Sequence, residues 1–178
     1  MTGVQTCALP IYKDVKLSTL QFGGEQERKR RPGTENVVSV VGFKHAVKLM
    51  MEQKDEQIKK YKSYKRLFIE TLEKAGIEYE INGDPTDTIP SIVNISFSGT
   101  NVEALLTNFD LAGIAASSGS ACTAGSVEPS HVLQEMYGSE NDRTTNSIRF
   151  SFGLHNAKED IKEAATRIAS IVKRLTSL

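Results

Sequence analysis

The chain has 178 residues, with 22 basic and 22 acidic side chains, a formal net charge of zero, 39% hydrophobic and 25% charged residues. That composition is that of a globular chain rather than a disordered one, and the lack of a basic excess excludes the electrostatic footprint of a nucleic-acid binder. No apolar run approaches the ~20 residues that cross a bilayer, and two cysteines, Cys7 and Cys122, cannot build a disulfide framework, so a reducing, cytoplasmic setting with no membrane partner is expected.

Residues 1–11 share no helical or strand period with the rest of the chain. They resemble the translation of a short-read sequencing adapter and are set aside from fold reasoning. Cys122 is then the sole native cysteine, and the natural protein is expected to continue upstream. Residues 13–34 are polar and carry two turn signals, Gly23-Gly24 and Pro32-Gly33. The basic run Arg28-Lys29-Arg30-Arg31 is offset by Glu25, Glu27 and Glu35 and reads as a solvated face. A helical stretch is predicted from Glu35 to Lys74, as two helices or as one bridging two lobes. Val37, Val40, Val41, Ala46 and Val47 mark its first apolar face; Ile58, Tyr61, Leu67, Phe68 and Leu72 resume it. Gly76 supplies the stop.

Beyond Gly76 the period changes. Ile77–Ile81 and Ser91–Phe97 read as strands around the turn Asn82-Gly83-Asp84-Pro85. Thr100-Asn101-Val102-Glu103 reads as a capping box opening a helix, and Ile114–Ala116 as a short strand. Residues 117–126, all small, polar or glycine apart from Cys122, read as a loop. Ser147–Phe152 alternates as a half-buried strand, and Asn156 is placed to cap a last helix carrying Ile161, Ala165, Ile168 and Val172 on one stripe. Residues 77–178 are therefore expected to form a compact α+β domain.

Two residues carry candidate chemistry. Cys122 sits among Ser, Gly, Ala and Thr with little to pack against. An incidental loop cysteine and a working thiol both remain open, since an exposed thiolate is reactive. Arg149 projects from the strand face opposite Ile148, Phe150 and Phe152. Out of context it reads as a surface arginine, yet its fork suits a carboxylate as lysine does not. His45, His131 and His155 have no metal-ligand spacing, so structural roles are expected.

The segment Ser118-Gly-Ser-Ala-Cys122-Thr-Ala-Gly-Ser-Val-Glu-Pro-Ser-His-Val-Leu133 resembles the active-site cysteine loop of the cysteine desulfurases. Phe22-Gly-Gly-Glu-Gln-Glu-Arg-Lys-Arg-Arg-Pro-Gly-Thr-Glu-Asn36 and Ser147-Ile-Arg-Phe-Ser-Phe-Gly153 resemble two further motifs of that family, in its order and spacing. The resemblance covers residues 13–178. It implies the α+β small domain of a pyridoxal 5'-phosphate (PLP)-dependent fold type I enzyme of the class V aminotransferases. On this reading residues 12–34 end the large cofactor domain, 35–76 form an interdomain helical segment, and 77–178 form the small domain.

By the same resemblance Cys122 is the nucleophile that takes sulfur from L-cysteine, leaving L-alanine and an enzyme persulfide. Arg149 holds the substrate carboxylate, and Thr34 reaches the phosphate of the partner subunit's PLP across a homodimer. The sulfur then passes to an acceptor, an iron–sulfur scaffold or a tRNA thiolase. The family's cofactor lysine is absent, because Lys13 and Lys16 lie too near the glycine pair to match it. This chain alone is accordingly expected to be inactive and to bind PLP poorly. A standalone module that relays persulfide or docks on a scaffold, without PLP chemistry, is the alternative.

Overall fold

The computed structural model describes residues 18–119 and 129–177. Its contacts divide the chain into two units, Met1–Met51 and Glu52–Leu178, and each is described by itself.

In the first unit, Gln26–Lys29 form a single turn, α1, in which Glu27, Arg28 and Lys29 take φ of 52°, 57° and 64°. Each such residue costs about 1–2 kcal/mol outside glycine. Local bonds hold the segment: Thr19 Oγ1 donates to the Lys29 carbonyl at 2.9 Å, and the Gly33 amide to Gln26 Oε1 at 3.2 Å. The helix α2 (Val37–Ala75) starts here as one continuous element of 39 residues, capped where Asn36 Oδ1 accepts from the Ser39 amide at 3.1 Å. Of its predicted first apolar face, Val37, Val40 and Val41 are exposed, as are Val38 and Phe43.

The second unit holds the core. Tyr64, Phe68 and Leu72 recur every four residues along α2 and are buried; the sequence pattern includes the last two but not Tyr64. Gly76 closes the helix at φ 66°, its amide donating to the Glu73 carbonyl at 2.9 Å, as predicted for a C′ glycine. The strands β1 (Glu80–Ile81), β2 (Ile92–Ser96), β3 (Ser117–Ser118) and β4 (Ser147–Ser151) form one antiparallel sheet of order β1-β2-β4-β3. Val93, Ile95, Ile148 and Phe150 point to one face, where α2, α3 (Val102–Leu111) and α6 (Lys158–Thr176) supply Phe68, Leu105, Phe109, Ile161, Ile168 and Val172. Period-2 strands against period-3.6 helices give the expected α+β layering. The other face carries the polar residues of both central strands.

Several boundaries differ from the sequence expectation. The cap of α3 is Asn101, not Thr100: Asn101 Oδ1 accepts from the Glu103 and Ala104 amides, while the Thr100 hydroxyl is spent on the Phe97 carbonyl at 2.7 Å. Ile114–Ala116 lie outside the sheet because α3 ends in a Schellman motif. The Ile114 amide donates to the Phe109 carbonyl at 2.8 Å and the Gly113 amide to the Asp110 carbonyl at 2.9 Å, with Gly113 at φ 73°. The strand therefore begins three residues later than predicted. Asn156 does not cap α6; its Oδ1 accepts from the Gly153 amide, and Asp160 reaches back to the Ala157 amide at 2.8 Å. Two short helices, α4 (His131–Tyr137) and α5 (Arg143–Asn146), have no counterpart in the sequence expectation.

One pH response arises from the turn after α2. Burial first, then the charge of Glu73 and the hydrogen bond to it, push the Tyr79 hydroxyl up to about 12. The unfolded chain loses this proton near pH 10 while the folded chain keeps it, so stability is full below pH 10 and declines from 10 to 12. Partial exposure reduces the effect to about 1 kcal/mol. Tyr79→Phe is expected to remove that decline in urea unfolding across this window; an unchanged slope would sink the assignment.

Candidate active site

Arg149 occupies the centre of β4 on the polar face of the sheet. It lies directly across from Asn94 on β2 and from Ser117 on β3. Its Nη2 donates to Ser117 Oγ at 3.2 Å, and that hydroxyl donates onward to the Ser118 carbonyl at 3.3 Å. The guanidinium is half-buried, and among the described residues its one side-chain hydrogen bond is to the neutral Ser117. Such a group accepts a carboxylate two-pronged.

A polar network extends from this row. Asn82, the residue after β1, continues the ladder, its amide donating to the Asn94 carbonyl at 2.9 Å. Its side-chain Nδ2 donates to Asn94 Oδ1 at 2.7 Å and to Ser147 Oγ at 2.8 Å. Ser147 Oγ donates to the Arg143 carbonyl at 2.5 Å, and Arg143 Nη1 donates to Asn82 Oδ1 at 3.4 Å. Arg143 also pairs with Glu80 at 2.7 Å and stacks 4.5 Å from the Tyr137 ring centroid. Burial works against its charge, but the Glu80 and Tyr137 contacts outweigh it and push its pKa up. Tyr137 Oη in turn accepts from the Gly83 amide at 3.0 Å. Ser96 and Asn146, both buried, are hydrogen-bonded beside this network. These buried polar groups are satisfied, as a stable interior requires. Sequence reasoning missed all of them except Arg149.

The remaining candidates lie elsewhere. Thr34 is exposed in the first unit, where its carbonyl and that of Gly33 each accept from Arg31 Nη1 at 3.3 Å. Arg31 thus serves its own turn, and Lys29 pairs with Glu25 at 2.9 Å. Cys122 lies outside the described residues, as do Cys7, Lys13 and Lys16. His45, His131 and His155 are exposed, and among the described residues no group of His, Cys, Asp or Glu is placed to hold a metal. No helix among them is long and apolar enough to cross a membrane.

The described residues do not fit PLP. A Schiff-base cofactor needs a lysine amine beside the carboxylate holder, but the row at Arg149 holds amides, a hydroxyl and a guanidinium. A cavity of about 490 Å³ between α6 and the end of β4 has no lysine in its wall. Another, of about 420 Å³, is lined by Lys62, Lys65 and Arg66 but not by Arg149.

The family model described as Aminotransferase class-V matches residues 11–163. Over 164 residues the chain is 60% identical to a Bacillus subtilis protein named "Putative cysteine desulfurase IscS 1", covering 92% of this chain and 43% of that protein. It is 34% identical to "Cysteine desulfurase IscS" of Dictyoglomus turgidum, across 96% of this chain and 43% of that one. Among solved structures, a NifS-like protein aligns at TM-score 0.73 and 25% identity, covering 91% of this chain and 40% of its own. A NifS-like protein from Rickettsia africae aligns at 0.69 and 29%, covering 92% and 41%. The chain thus spans less than half the length of these relatives.

Proposed function

Because the chain belongs to the class-V aminotransferase family, we propose that it is the C-terminal part of a cytoplasmic, homodimeric cysteine desulfurase. What carries this reading is the 60% identity across 164 residues with the Bacillus subtilis relative. Residues 12–34 end the cofactor domain, 35–76 link the two domains, and 77–178 form the small domain. The exposed Val37, Val38, Val40 and Val41 suit a helix start that the rest of a longer protein covers.

PLP dependence comes with the family, and on this reading the cofactor's lysine is not supplied by residues 12–178. This chain supplies the remaining parts. Arg149 binds the α-carboxylate of L-cysteine and fixes the amino acid's orientation. Cys122 receives the sulfur. Its thiol and cysteine give a protein persulfide and alanine, a reaction that balances without an added oxidant or reductant. Thr34 contributes to the phosphate site of the partner subunit. The persulfide then goes to an acceptor protein for iron–sulfur assembly or tRNA thiolation.

The test is a fusion of residues 12–178 behind the N-terminal portion of the Bacillus subtilis relative. With L-cysteine and a thiol reductant it is expected to release equal amounts of alanine and sulfide. A folded, cofactor-loaded fusion that makes no alanine would overturn the assignment.

A further inference from the structure

The polar face of the sheet carries one row of side chains across all four strands. In order these are Asn82 after β1, Asn94 on β2, Arg149 on β4 and Ser117 on β3. The directions of their hydrogen bonds are fixed by groups that have no choice. The Arg143 carbonyl can only accept, so the Ser147 hydroxyl 2.5 Å away spends its one proton there. Toward Asn82, Ser147 can then only accept, and the Asn82 atom 2.8 Å from it must be the amide nitrogen. The Arg143 guanidinium can only donate, so the Asn82 atom facing it at 3.4 Å must be the oxygen. Two independent partners therefore set the Asn82 amide the same way round. Its nitrogen also faces Asn94 at 2.7 Å, which obliges Asn94 to present its oxygen there.

What is left over is the Asn94 amide nitrogen, a donor, next to Arg149, also a donor. Among the described residues no acceptor takes the Asn94 Nδ2 protons, and Arg149 gives a side-chain hydrogen bond only to Ser117. Two adjacent donors, one of them charged, cannot satisfy each other. Both residues are half-buried rather than sealed, so a solute can reach them. The group that fits is an anion with acceptor lone pairs on two oxygens.

We propose that Asn94 is a second substrate-binding residue, donating its amide to the carboxylate held by Arg149. Asn82 is the positioning residue that turns Asn94 to do so, itself oriented by Arg143 and Ser147. The ligand class is the α-carboxylate of a small amino acid. This rests on the reading of Arg149 as the carboxylate holder and adds to it a residue and a device that fixes that residue's orientation.

The experiment is a titration of the isotopically labelled 178-residue chain with L-alanine, followed by NMR at the Arg149 Nε–H and Asn94 Nδ2 resonances. Both are expected to shift with one apparent Kd. Asn94→Leu, similar in size and unable to donate, is expected to weaken binding tenfold or more while the amide spectrum stays dispersed. Asn82→Asp keeps both binding side chains but presents only acceptors to Asn94, turning its nitrogen toward position 82; binding is expected to weaken severalfold. If Arg149 shifts while Asn94→Leu binds as tightly as the parent, the role of Asn94 is overturned and that of Arg149 stands. If Arg149→Gln binds L-alanine like the parent, or the parent shows no shift at any attainable concentration, the carboxylate site falls and this inference with it. Unchanged binding in a folded Asn82→Asp chain overturns the positioning role alone.

Discussion

Phe150→Ala is expected to destabilise the unit of residues 52–177 by about 3–5 kcal/mol, read as a lower urea midpoint at unchanged slope. The ring is 4% exposed and meets three others: Phe68 of α2 at 5.0 Å between centroids, Phe109 of α3 at 6.0 Å, and Phe97, just past β2, at 6.4 Å. Each partner is anchored in a different element. The void left by the ring therefore cannot close by one helix settling, because any movement that fills it from one side opens contacts on another. Native stabilities are only about 5–15 kcal/mol, so a loss of this size removes much of what holds the unit together. Ser151→Ala, one residue away and exposed, is expected to stay within about 0.5 kcal/mol. A Phe150→Ala change below about 1 kcal/mol would mean that the sheet and helices do not share this core.

The alternation that turns Phe150 toward the core also makes β4 readable from sequence, including the direction of Arg149. Long, strongly periodic elements are legible for the same reason: α2 and α6 carry enough apolar repeats to average out exceptions. Short elements are not. Of the seven residues of α4 only Leu133 is buried, too few to show a period. The error at Ile114–Ala116 is avoidable, since Leu111-Ala-Gly-Ile114 is a helix ending with glycine at C′ and an apolar residue after it. The network around Asn82 is hidden for a different reason. Asn94, Ser96 and Ser147 alternate outward from their strands, as solvent-facing residues do. Only the pairing register brings Asn82 beside Asn94, and register is a tertiary fact that strand patterns leave open. The run of small and polar residues around Cys122 in the sequence singles it out, although that residue lies outside the described residues.

Cys122→Ser in the cofactor-loaded fusion is expected to lower alanine formation from L-cysteine by about three orders of magnitude or more, the scale seen when a nucleophile is removed. An unperturbed thiol of pKa about 8.5 is already a few per cent thiolate at pH 7, and that fraction is a strong nucleophile toward sulfur. A serine hydroxyl has no comparable ionised fraction and would have to form an oxygen–sulfur bond in place of a disulfide-like one. The loss is expected in kcat, because on the proposed reading the carboxylate contacts come from Arg149 and its neighbours whichever residue stands at 122. The L-alanine affinity of the fusion should accordingly stay within twofold of the parent's. Wild-type alanine formation is expected to rise with pH as the thiol ionises, and blocking the thiol with a haloacetamide should reproduce the serine variant. If the serine variant turns over at the parent rate, sulfur leaves by a route that does not involve Cys122, and the persulfide assigned to this chain does not form there.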